Sequence, residues 1–321
     1  MQVLGGNRKA SLSSRASRIL FGILGLVLLA VPYVGVSSYV VRMFTLTLMY
    51  ISLGLSLNLL SGLAGQVSLG HAAFYGIGAY TSALLSLRLG LPFMLTCLAG
   101  GIMASLLGLL LCFPAMKLQG TYFTFVTLGF GEIVRLIILN WAKLTRGPMG
   151  LPGIPQPVIL GIRIASDGAY YYLILVIAVI IYAVVSNISN SATGRALVAI
   201  REDTLVAEAM GVNVFKYKMI AFGLSTFFAG IVGAYFAHYI SFIDPSNFTF
   251  DESSLILSLV VLGGMGNLKG TILAACFLIA VPEVMRGLLA YRMLIYGLIL
   301  VLAMMIRPQG LLGSQKRMQV S

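Results

Sequence analysis

The sequence predicts an all-α fold, a polytopic transmembrane helical bundle of about 10 membrane segments. Three observations carry that expectation. The chain of 321 residues is 59% hydrophobic and only 9% charged, against roughly 25% charged residues in a soluble domain. Its mean hydropathy is +1.00, so lipid must be the solvent for most of its exterior. Its 36 glycines against 10 prolines suit helices whose backbones approach closely in lipid. So high an apolar content excludes a disordered chain.

The net charge of +12 would suggest nucleic acid in a soluble protein. Here the basic residues are scattered at helix ends, where membrane topology puts them, so no nucleic-acid partner is implied. Cys97, Cys112 and Cys276 all lie in apolar stretches and read as small core hydrophobes without metal-site or disulfide spacing. With two histidines in the chain, no His-rich metal site is built.

A spanning helix needs about 20 mostly apolar residues. The stretches that qualify are 19–37, 42–61, 67–87, 92–114, 120–140, 169–187, 216–240, 252–267, 270–286 and 290–306. Of these, 67–87 and 252–267 are polar or short enough to be re-entrant or broken, with the breaks near 61–71 and 263–267. The first span follows Arg8, Lys9, Arg15 and Arg18 and reads as a retained helix rather than a cleaved leader.

Basic residues test the orientation. With the N-terminus in the cytoplasm, ten crossings put thirteen Lys and Arg inside, among them Lys117, Arg195, Arg201, Lys269 and Arg307. Seven fall outside: Arg42, Arg88, Lys143, Arg146, Arg163, Arg286 and Arg292. Both termini are therefore expected in the cytoplasm. The chain divides into a basic tail at 1–18, one transmembrane domain at 19–306 and a C-terminal tail at 307–321. The loop 141–168 holds Gly147, Pro148, Gly150, Pro152, Gly153, Pro155 and Pro157, and so many helix breakers make it a structured outer loop.

The inner loop, 188–215, carries the most information. Asp203 is a good N-cap for a short helix, and Gly211 suits the left-handed position that ends one. Between them Leu205, Val206, Ala209 and Met210 supply an apolar side. Surface-lying membrane anchors carry Lys and Arg on their polar face. This segment instead carries Glu202, Asp203 and Glu208, which anionic lipid repels, so a protein partner is expected.

That loop also carries a resemblance. GRALVAIRED over 194–203, followed by AEAMGV over 207–212, resembles the coupling loop of permease subunits of branched-chain amino acid ABC importers, more narrowly the LivM type. NLLSGLAGQVSLGH (58–71), GTYFTFVTLG (120–129), GGMGN (263–267) and RPQGL (307–311) match in the same order. Together they cover most of the chain from about residue 45 to 313. The resemblance implies a bacterial inner-membrane subunit that pairs with a sister, LivH-like permease, two cytoplasmic ATPase subunits and a periplasmic binding protein. It implies that 141–168 is periplasmic and that Arg201, Glu202, Asp203, Leu205, Ala207, Glu208, Ala209 and Gly211 form the ATPase-coupling loop. It implies no cofactor in this chain, ATP and magnesium being held by the partners. One departure is visible: TRGPMGLPGI (145–154) has Arg146 where relatives often have a second glycine.

The chain has no phosphate-binding Gly-Lys-Ser/Thr loop, the nearest stretch being GGMGNLKG at 263–270. Energy must then come from another chain or from an ion gradient, and an enzymatic role is not expected. The candidate translocation path is Asn58, Gly62, Gln66, Ser68, His71, Thr124 and Thr127. Polar breaks at membrane depth survive where they line a wet cavity, although an ordinary cytoplasmic turn fits 61–71 as well. Gly54, Asn58 and Gly62 share one helix face, for which tight packing is favoured over pathway lining. Within the spans, Glu132 with Arg135 and Glu283 with Arg286 lie three apart and can neutralise each other. A structural ion pair is the leading reading for both, with contact to a substrate's charged ends as the other. His71 and His238 read as hydrogen-bonded structural histidines. Two rivals stay open: a self-contained secondary transporter or channel, and an ABC permease for urea or short-chain amides. The first is weakened because only paired carboxylates are offered as proton sites.

Overall fold

The computed structural model describes residues 37–115, 120–159 and 161–284, together with Pro32 and Gly297. The spans expected at 19–37 and 290–306, both tails, Lys117 and the Glu283–Arg286 side chains lie outside the described residues.

Helix α1 (Ser38–Leu57) continues into a π-helical turn, Asn58–Leu63. After a non-helical stretch come α2 (His71–Leu89), α3 (Phe93–Ala115) and α4 (Thr121–Asn140). Next come α5 (Asp167–Asn190), α6 (Ala192–Glu202), α7 (Thr204–Ala209) and α8 (Val214–Ile240). Two further helices, α9 (Phe250–Gly263) and α10 (Leu268–Val284), complete the described bundle.

Among the described residues, five helical stretches are long and apolar enough to cross a membrane: Ser38–Leu63, Phe93–Ala115, Thr121–Asn140, Asp167–Asn190 and Val214–Ile240. α9 has 14 residues, about 21 Å of rise, against a hydrocarbon core of about 30 Å. It is a half-helix entered from within the bundle. The chain leaves α8 at the face carrying 141–168 and turns inward through Pro245–Asn247. Phe248 then packs on Tyr75 and Tyr80 of α2, and Ser253 in the first turn of α9 accepts the backbone N–H of Ala72 at 3.0 Å.

The core sits where α2, α3 and α8 cross. Their backbones touch because glycines face each other: a methyl group at Gly78 would lie 2.1 Å from the Gly230 carbonyl oxygen, and one at Gly233 1.9 Å from that of Tyr75. Close backbone contact of this kind replaces the hydrophobic driving force, which is absent between helices in lipid. Aromatic rings fill the flanks, Phe74 meeting Phe222 edge-on at 5.5 Å between centroids. By contrast, Leu98, Ile102, Leu106 and Leu110 of α3, like Val176, Val179 and Ile180 of α5, are exposed apolar side chains, suited to lipid.

The 141–168 loop is structured without being helical throughout. Strand β1 (Leu151–Pro152) pairs antiparallel with β4 (Phe242–Ile243), and β2 (Val158–Ile159) with β3 (Ile162–Arg163). His238 fixes it from below: its Nδ1 meets the Pro155 carbonyl at 2.7 Å while Nε2 meets Ser82 Oγ at 3.0 Å.

Candidate coupling site

The 188–215 loop folds as two short helices because each has its own cap. Ser191 Oγ accepts the Gly194 N–H at the start of α6. Asp203 Oδ1 accepts the N–H groups of Leu205 (2.9 Å) and Val206 (3.1 Å), starting α7, and so satisfies two of the donors a helix start leaves open. Gly211 ends the segment at φ +82, a left-handed conformation that costs an L-residue about 1–2 kcal/mol.

Those caps orient the apolar residues in two directions. Ala207 turns inward against Ile200 and Val214. Leu205, Val206 and Met210 project outward, 74%, 58% and 79% exposed. Glu202, Glu208 and Ala209 are exposed beside them. An apolar ridge with an acidic margin is a poor membrane anchor and a good seat for a groove on another protein.

Arg201 points the other way. Its Nη1 donates to the Gly62 carbonyl at 2.7 Å and its Nη2 to Glu202 Oε1 at 2.8 Å. Its stem passes so close to Gly65 that a methyl group there would lie 2.5 Å from the Arg201 Cγ. The loop therefore reaches back to the π-helical turn.

That turn packs against the GGMGN stretch. Asn58, fully buried, donates from Nδ2 to Thr271 Oγ1 at 2.9 Å and accepts the Gly266 N–H on Oδ1 at 2.8 Å. Gly62 has no room for a side chain, since its Cβ would lie 2.4 Å from the Gly266 nitrogen. The face shared by Gly54, Asn58 and Gly62 is thus a packing face against 263–271.

Hydroxyl groups hold the non-helical stretch 64–70. Ser61 Oγ donates to the Gln66 carbonyl at 3.0 Å, and Thr124 Oγ1 donates to that of Val67 at 3.0 Å. Thr127 Oγ1 accepts the Leu69 N–H at 3.2 Å, and Ser68 Oγ that of Gly70 at 3.4 Å. His71, buried, meets Ser56 Oγ at 2.8 Å, and Ser225 Oγ donates to the Ser56 carbonyl at 2.7 Å. Gln66 Oε1 is buried with no hydrogen-bond partner among the described residues. The seven residues named for the path are therefore brought together along one break, most of them in contacts between elements. Ser56, Ser225, Ser253 and Thr271 went unnamed in the sequence, where the one available signal was an isolated hydroxyl inside an apolar helix.

On α4, Arg135 Nε donates to both carboxylate oxygens of Glu132 at 3.0 Å; the two side chains are 28% and 44% exposed. Among the described residues no group of three or more His, Cys, Asp or Glu is placed to hold a metal ion.

Comparison with known proteins identifies the family. The family model described as "Branched-chain amino acid transport system / permease component" matches residues 39–306. The chain belongs to this permease family. The family's LivM from Escherichia coli (strain K12), named a high-affinity branched-chain amino acid transport system permease protein, is 42% identical over 301 residues, 86% of this chain and 71% of the relative. LivM of Salmonella typhimurium is 41% identical over 292 residues, 84% and 68% of the two chains. An autoinducer 2 import system permease protein, LsrC of Salmonella typhimurium, shares 32% identity over 167 residues, half of this chain and 46% of that one. No solved structure matches the chain. A branched-chain amino acid transport permease is a transport component.

Proposed function

We propose that the chain is the LivM-type permease subunit of an ABC importer for branched-chain or related amino acids. It works beside a LivH-like sister permease, two cytoplasmic ATPase subunits that hold ATP and magnesium, and a periplasmic binding protein. It resides in a bacterial inner membrane with both termini cytoplasmic, 188–215 on the cytoplasmic side and 141–168 on the periplasmic side. The route opens by alternating access: closure of the ATPases moves α7, and α6 carries that movement to the membrane breaks.

The observation that supports this most is the opposed orientation of neighbouring residues. Leu205, Val206 and Met210 present an apolar ridge outward, while Arg201 grips Gly62 inward. A loop built to sense a partner and report to the membrane needs both. Pulling the tagged chain from mild detergent tests the assembly: the expected companions are a second permease and ATPase subunits. Recovery of the chain alone, active in vesicles without ATP, would overturn the reading in favour of a gradient-driven carrier.

A further inference from the structure

A cavity of about 210 Å³ opens between the start of α2, the middle of α4 and the first turn of α9. Leu69, Leu128, Phe248 and Phe250 give it an apolar wall, and Glu132 and Thr249 give it polar groups. Its depth follows from helix geometry. Glu132 lies about 17 Å from Thr121 along a helix about 29 Å long, near the middle of the span Thr121–Asn140.

Two facts separate this place from ordinary packing. The first is cost. A charged pair at mid-membrane is expensive on a lipid face, yet little of α4 is buried inside this chain and the Glu132 side chain is 44% exposed. The pair must face protein or an aqueous path. The second is shape: α9 begins only where the cavity does, and Gly131 places no side chain in it, its nearest neighbour being the Gly70 Cα. Transporter sites commonly lie where a broken helix meets the midplane.

We infer that this cavity is this subunit's share of the binding site for the transported amino acid. The Glu132 carboxylate takes the substrate's ammonium group, the released Arg135 guanidinium takes its carboxylate, and the apolar wall takes an aliphatic side chain. An internal ion pair that opens onto a zwitterion exchanges one set of charge-assisted contacts for an equivalent one, so neither ion is left bare in low dielectric. This inference rests on the proposed importer function and adds the place and chemistry of substrate contact.

The test uses the full assembly in vesicles loaded with ATP, with binding protein and radiolabelled leucine outside. ATP-dependent leucine uptake by the wild type is the control on the function itself, and its absence would count against the importer reading. Given that uptake, the double variant Glu132→Gln with Arg135→Gln removes both charges together, so no buried ion is orphaned and assembly is retained. Uptake should fall by about tenfold or more while binding-protein-stimulated ATP hydrolysis stays near the wild-type rate. A purely structural pair predicts the reverse: the double variant transports normally, and that result overturns the inference. A second variant, Thr249→Leu, fills the cavity without touching the ion pair and should also depress uptake with ATP hydrolysis intact. Normal uptake in Thr249→Leu would equally overturn it.

Discussion

Arg201 Nη1 and the carbonyl oxygen of Gly62 lie 2.7 Å apart, although the two residues are 139 positions apart in sequence. The bond ties the end of α6 to the π-helical turn below α1, so displacement of the loop pulls on the break. A charge-assisted hydrogen bond of this kind contributes about 1.5–3 kcal/mol. Arg201→Gln should therefore keep the assembly hydrolysing ATP while transport per ATP falls by about tenfold. The ratio of leucine taken up to phosphate released in vesicles measures it. An unchanged ratio would mean that the contact transmits nothing.

The α7 helix is short enough that its caps decide whether it forms. Asp203→Ala removes the acceptor of two N–H groups at a cost of about 1 kcal/mol, whereas Asp203→Asn keeps an acceptor. Gly211→Val forces a β-branched residue to φ +82, costing about 1–2 kcal/mol or more. Both damaging variants should reach the membrane but recover less ATPase subunit on purification, and Asp203→Asn should recover near wild-type amounts. Equal recovery from all three would remove α7 from the docking surface.

These two cases also mark what a sequence can disclose. The caps of α7 are local: Asp203 and Gly211 lie within a few residues of the groups they serve, and their chemistry reads directly from position. The five apolar spans were visible for the same reason, since each is a continuous run. The grip of Arg201 on Gly62 was not visible, because both ends lie in stretches whose local features explain them otherwise, one as a coupling loop and one as a turn. Thr124 and Thr127 were legible as polar groups in a span but not as the clamps on 67–70, which depend on α4 lying beside that stretch. That 252–267 is short enough to be re-entrant or broken was legible from its length, whereas the inward turn of 241–249 along α2 is a tertiary fact with no periodic signature.

Asn58 carries two bonds at once, to Thr271 and to the Gly266 N–H. Asn58→Leu leaves the half-buried Gly266 N–H without its acceptor and Thr271 Oγ1 with only its bond to the Asn267 carbonyl, which costs about 1–2 kcal/mol, and adds a branched side chain beside Gly62. The variant should melt several degrees lower in detergent and expose 263–267 to proteolysis. A melting curve superimposable on the wild type would show that the Gly266 backbone finds another acceptor.

Arg146 sits at φ +62 and is exposed, a backbone region that disfavours side chains by about 1–2 kcal/mol. Arg146→Gly relieves that strain against a smaller loss of unfolded-chain restriction. The net expectation is a gain of about 0.5 kcal/mol, read as a small rise in melting temperature with transport retained. A fall would indicate that the guanidinium makes a contact the assembly depends on.

At the crossing of α2, α3 and α8, backbone lies on backbone at Gly78, Gly230 and Gly233. No rotamer change there can let one helix slide past another, so these three move as a single piece. Beside them, residues 64–70 and the first turn of α9 also carry single hydroxyl bonds from Thr124, Thr127 and Ser253, each of which can be broken and remade. The molecule is thus divided into a stator and a set of latched parts, and the latches are serine and threonine.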